Sequence, residues 1–153
     1  MKELSVGDQL PSFTLPSDQI GDINIEDFKG QNIVLYFYPK DDTSGCTLEA
    51  NDFSNAMDKF ADLNTIIIGI SRDPIKKHQK FRLKYDLKHI LLSDEDSEVC
   101  NKFGCWVEKS MYGKKYMGIS RTTFLVDAKG VIKKIWIKVK VKGHVEAVID
   151  SLK

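Results

Sequence analysis

Apolar residues run almost unbroken from Ile33 to Tyr38, and again through Thr65-Ile66-Ile67-Ile68-Gly69-Ile70. Runs of this kind suit strands buried on both faces. Between them, Leu48, Phe53, Ala56, Met57 and Phe60 recur on one helical face and predict a helix over about 46–61. Asp73-Pro74 opens a second helix that runs to about Tyr85. His89–Leu92 predicts a third short strand. Ser93 or Asp94 then caps a helix holding Val99 and Phe103, and Gly104 ends it. Thr122–Val126 and Ile135–Val141 predict two strands joined by a turn at Asp127-Ala128-Lys129-Gly130. A last helix runs from about His144 to Leu152. Ser12–Leu15 and Asp22–Ile25 predict short N-terminal strands, and residues 107–118 read as a loop. The order describes an α/β chain with a central mixed β-sheet flanked by helices.

At 153 residues the chain is long enough for one domain, 1–153, with a core that needs no staples. Its formal net charge of +1 points to neither nucleic acid nor a membrane surface. The lysines at 133, 134, 138, 140 and 142 alternate with apolar residues and read as protection of an edge strand. The longest apolar runs, about six residues, fall far short of the roughly twenty that span a bilayer. Met1–Ser5 shows no signal-peptide pattern, so a cytoplasmic protein is expected. Three cysteines, Cys46, Cys100 and Cys105, are an odd and widely spaced set without a C-x-x-C. They read as free thiols in a reducing compartment. His78, His89 and His144 lack metal-ligand spacing with Cys100 or Cys105, so neither a metal nor a cofactor is expected.

Chemistry concentrates at Cys46. It lies at the turn from the first apolar run into the first helix, where free helical N–H groups favour a thiolate, the nucleophilic form. The preceding residues fit P-x-x-x-T-x-x-C through Pro39, Thr43 and Cys46. Pro39 lacks an N–H and offers a rigid wall against water. Thr43 offers a hydroxyl to the sulfur or to a bound oxygen. Gly45 permits close approach. Arg121, just before Thr122, stands where strand pairing can bring a guanidinium beside the sulfur and stabilise transition-state charge.

The segment Tyr36-Phe37-Tyr38-Pro39-Lys40-Asp41-Asp42-Thr43-Ser44-Gly45-Cys46-Thr47-Leu48-Glu49-Ala50 resembles the active-site segment of peroxiredoxins. It is most similar to the bacterioferritin comigratory protein, or peroxiredoxin Q, subfamily. Leu91–Asp94, Gly113–Tyr116 and Arg121–Asp127 resemble it too. The resemblance implies a thioredoxin-like fold and thiol-dependent reduction of hydrogen peroxide and organic hydroperoxides. It makes Cys46 the peroxidatic cysteine, Thr43 and Pro39 pocket residues, and Arg121 the activating arginine. It favours a monomer or weak homodimer, re-reduced by thioredoxin, glutaredoxin or a small thiol.

The chain departs from that pattern at two places. Ser44 stands where the subfamily commonly has Pro. Asn51 stands where many members carry a resolving cysteine, and residues 74–85 hold none. A one-cysteine cycle resolved by an external thiol is therefore expected. The alternatives are a two-cysteine cycle in which Cys100 or Cys105 resolves Cys46 after local unfolding, and a redox-regulated binding protein.

Overall fold

The computed structural model describes residues 4–153; Met1–Glu3, part of the segment read for a leader, lie outside them. The chain runs β1 (Thr14–Ser17), β2 (Gly21–Asn24), β3 (Asn32–Phe37), α1 (Ser44–Asn55), α2 (Met57–Asp62), β4 (Thr65–Ser71), α3 (Ile75–Tyr85) and β5 (Ile90–Ser93). It continues through α4 (Glu98–Lys102), β6 (Trp106–Met111), β7 (Lys114–Ile119), β8 (Thr122–Val126), β9 (Ile132–Ile137) and α5 (His144–Leu152). Seven strands form one mixed sheet in the order β2-β1-β5-β4-β3-β8-β9. The two apolar runs become its central parallel pair, with Asn32 opposite Thr65 and Phe37 opposite Ile70. β8 lies antiparallel on the other side of β3, with Phe37 opposite Thr122. This is a thioredoxin-like α/β arrangement.

Side chains alternate across each strand, so the central sheet separates two cores. Ile33, Leu35 and Phe37 face one side with Ile70, Phe124, Cys100 and Cys105. Val34, Tyr36 and Tyr38 face the other with Phe53 of α1, Phe60 of α2, Phe81 of α3, Val148 of α5 and Cys46. Cys46 is thus divided from both other cysteines by the sheet itself.

Several boundaries differ from the sequence reading. The helix expected over 46–61 begins at Ser44 and breaks at Ala56, whose N–H turns back to Phe53 O and Ser54 O; α2 follows separately. Residues 107–118 are not a loop. They form most of the two-stranded β6–β7 hairpin, with Met111 opposite Lys114. Its two turn residues, Tyr112 and Gly113, both have positive φ (53° and 78°), which matches the right-handed twist of a hairpin. The strand expected over 135–141 is β9, which starts at Ile132 and stops at Ile137, before Lys138 takes a left-handed φ of 51°. β9 is a sheet edge, and Lys133 and Lys134 are exposed along it. The cap of α4 is Ser97 rather than Ser93 or Asp94, but the Asp94 carboxylate still accepts from the N–H groups of Val99 and Cys100. Among the described residues, no helix is long and apolar enough to cross a membrane.

Candidate active site

β3 delivers the chain through Tyr38 into the loop that begins at Pro39. Thr43 ends that loop with an extended backbone (φ −90°, ψ 156°), and its carbonyl accepts from Thr47 N at 2.8 Å. α1 therefore starts at Ser44, and Cys46 falls in its first turn. N–H groups there lack intrahelical partners and attract negative charge. Cys46 is only 1% exposed.

Arg121 reaches the same place from another strand. Pairing of Thr122 with Phe37 puts the residue before β8 beside the exit of β3. The Arg121 backbone is held there by its carbonyl, which accepts from Val139 N at 3.0 Å. Its guanidinium spans two groups: Nη2 donates to Cys46 Sγ at 3.3 Å and Nη1 donates to Glu49 Oε1 at 2.6 Å. Gly45 makes room for it, because a Cβ at that position would sit 3.1 Å from Nη2. A charged donor against the sulfur stabilises sulfur bearing negative charge.

Glu49 follows Cys46 by three residues, so it projects from the same face of α1. It is fully buried; Oε1 serves Arg121, while Oε2 has no partner among the described residues. Burial pushes its carboxyl up to about 7, against the pull of Arg121, and Asp52 adds to the rise. Burial opposes the charge on Arg121, but Glu49 and Cys46 together hold its guanidinium above the ordinary value. Lys109 of β6 also lies within electrostatic reach; burial and then Arg121 lower its ammonium, while Cys46 works the other way. Behind the pair, His144 Nε2 lies 2.8 Å from Thr123 Oγ1, and burial followed by Arg121 lowers its imidazole to about 4.

Of the four residues singled out from sequence, Cys46 and Arg121 are in direct contact. Thr43 stands at the N-cap of α1, but its Oγ1 donates to Lys40 O at 2.9 Å rather than to the sulfur. That leaves the hydroxyl an acceptor toward anything entering the loop. Pro39 is half-buried at the other end of the loop. Glu49 and Lys109 were missed. The i, i+3 spacing of Cys46 and Glu49 was the available signal for the first; nothing in the sequence tied the hairpin lysine to the site. Cys100 and Cys105 are free thiols on the far side of the sheet. Burial raises both, Cys100 further through Asp94, and Cys105 to about 12.

The chain is similar to known proteins over nearly its whole length. The AhpC/TSA family pattern matches residues 6–135. The chain is 48% identical over 149 residues to a putative peroxiredoxin bcp of Coxiella burnetii, covering 97% of this chain and 99% of that one. It is 45% identical over 150 residues to peroxiredoxin Bcp of Bacillus subtilis, covering 98% and 96% respectively. The structure of the Xanthomonas campestris bacterioferritin comigratory protein, studied for alkyl peroxide reduction, superposes with a TM-score of 0.88. That match has 37% identity and covers 95% of this chain and 97% of the other.

Proposed function

The chain belongs to the AhpC/TSA family, in its bacterioferritin comigratory protein or peroxiredoxin Q branch, and on that premise we propose that Cys46 carries its thiol peroxidase activity. The observation that carries this reading is the 3.3 Å contact from Arg121 Nη2 to Cys46 Sγ at the first turn of α1.

The thiolate attacks the nearer oxygen of a hydroperoxide along the O–O bond. An S–O bond forms, the O–O bond breaks, and the departing oxygen takes a proton to leave as water or alcohol. Sulfur loses two electrons and becomes a sulfenic acid. Arg121 faces the negative charge as it moves from sulfur to oxygen, and the first turn of α1, which holds Cys46, adds the positive end of a helix. We assign Thr43, whose hydroxyl keeps its acceptor side, and Pro39, half-buried at the start of the loop, to substrate contact. The substrates are hydrogen peroxide and organic hydroperoxides.

Recovery follows a one-cysteine cycle. An external thiol displaces water from the sulfenic acid to give a mixed disulfide, and a second thiol frees Cys46. Support comes from Asn51, from the absence of cysteine in α3, and from the sheet that stands between Cys46 and the other two thiols. Thioredoxin, glutaredoxin or a small thiol of the cytoplasm fits the role, with the enzyme acting as a monomer or weak homodimer. Intact mass after one equivalent of peroxide, without reductant, tests the cycle. A gain of about 16 Da on Cys46 is expected, whereas a loss of about 2 Da would mark an internal disulfide and overturn it.

A further inference from the structure

Asp41 sits in the middle of the loop between Pro39 and Cys46, yet it is buried. Its Oδ1 accepts from Tyr38 OH at 2.6 Å, and its Oδ2 lies 2.6 Å from His78 Nδ1. Its own N–H donates to Asp73 Oδ2 at 2.8 Å, a carboxylate fixed in turn by the Ser71 hydroxyl at 2.7 Å. The next residue, Asp42, adopts a left-handed φ of 61° and is bonded by Lys84 Nζ and Tyr85 OH. Both loop residues are therefore gripped by α3, which holds His78, Lys84 and Tyr85. The loop they define ends at Thr43, the cap that sets the start of α1 and so the place of Cys46.

His78 Nε2 lies 2.9 Å from Leu92 O, an atom that can only accept, so this nitrogen carries a proton. Nδ1 faces a carboxylate oxygen that Tyr38 leaves free. A second proton must lie between them, because a bare imidazole nitrogen and a bare carboxylate repel. We propose that His78 is a positioning residue for the peroxidase reaction: one proton shared with Asp41 closes a clasp that holds the Cys46 loop, and losing that proton at alkaline pH opens it. This rests on the reading that Cys46 is the peroxide-reacting sulfur.

The groups facing His78 are Asp41 from the loop, Asp73 from the β4–α3 turn, the Tyr38 ring from β3 and the Leu92 carbonyl from β5. Burial works against its charge, but the hydrogen bond and charge of Asp41, then Leu92 and Asp73, leave it raised above 6.5. A raised imidazole contributes fully below about 6.5 and is lost as pH climbs through the raised value, so the clasp fails on the alkaline side. Nothing in the sequence pairs residues 41 and 78, which lie 37 apart.

The test is the second-order rate of Cys46 oxidation by hydrogen peroxide, followed by stopped flow across pH without reductant. In the native enzyme the rate should fall on the alkaline side. His78→Ala should lower it about ten- to a hundredfold at neutral pH, the scale of a displaced reacting group. In Asp41→Asn, the amide can donate to a neutral His78, so the alkaline fall should disappear. A native rate in folded His78→Ala, or an unchanged alkaline fall in Asp41→Asn, would overturn the clasp. If His78→Ala does not fold, nitrogen NMR of the native protein decides. Two ring protons on His78 at neutral pH support the clasp, and one on Nε2 alone overturns it. Cys46→Ser, run alongside, separates this from failure of the underlying reading: if that variant still reacts, Cys46 is not the reacting sulfur.

Discussion

Arg121, half-buried, pairs with the fully buried Glu49, Nη1 meeting Oε1 at 2.6 Å and leaving Nη2 aimed at Cys46 Sγ. A planar fork is needed for this, since one cation serves two acceptors at fixed angles. Lysine carries the same charge on a single nitrogen and cannot hold both. Arg121→Lys should therefore slow Cys46 oxidation about a hundred- to a thousandfold, the scale for losing one preorganised donor. Stopped-flow kinetics with hydrogen peroxide will measure it.

Glu49 makes stability depend on pH. Burial raises its carboxyl from 4.5 to about 7, so the folded state binds a proton that the unfolded chain has already released. Its contribution is full below about pH 4.5 and is lost as pH rises to about 7. The melting temperature of the native enzyme should thus fall across that window relative to Glu49→Gln, whose amide does not titrate. Differential scanning calorimetry in buffers spanning the window will show the two curves separating.

Gly69 of β4 is needed for its size. A Cβ there would lie 2.8 Å from both the Tyr36 hydroxyl oxygen and the carbon that bears it. Tyr36 cannot yield: it is fully buried, stacks on Phe53 at 4.7 Å and hydrogen-bonds His89 Nε2 at 2.6 Å. Gly69→Ala should cost about 1–3 kcal/mol by overpacking, read from urea denaturation.

Arg82 ties the N-terminal hairpin to the far edge of the helical layer. It meets Asp18 through Nε at 2.5 Å and Nη2 at 2.9 Å, and donates to the carbonyls of Leu87 and His89 at 2.6 Å each. All of this is buried, so removing the cation leaves Asp18 and two carbonyls stranded. Arg82→Met should destabilise by about 3–5 kcal/mol, measured by urea denaturation.

The sequence made the core strands legible because Ile33–Tyr38 and Ile66–Ile70 have only one comfortable environment, a sheet covered on both sides. The contact between Arg121 and Cys46 was legible because a strand start supplies the partner, whereas the Thr43 hydroxyl turns to Lys40 O, a local bond that the chain spacing does not show. The β6–β7 hairpin was missed because both its faces are largely exposed, so Glu108, Lys109, Ser110 and Lys114 show no apolar alternation. Its turn uses Tyr112-Gly113 rather than a stronger signature such as Asn-Gly. Glu49 carries no sign of its role in the sequence, since only packing shows that it is buried against Arg121. Asp41 and His78 are invisible together until β3 and α3 are set side by side. The same holds for the sheet that parts Cys46 from Cys100 and Cys105, because strand order is a long-range property.

Steady-state peroxide consumption by two variants tests most directly whether Cys46 alone performs the chemistry. With a saturating small thiol as reductant, Cys100→Ala/Cys105→Ala should keep turnover within about twofold of the native enzyme, since both sulfurs lie across the sheet and are held protonated by burial. Cys46→Ser should lose it. Turnover that survives in Cys46→Ser, or vanishes from a folded protein whose only cysteine is Cys46, would contradict the account.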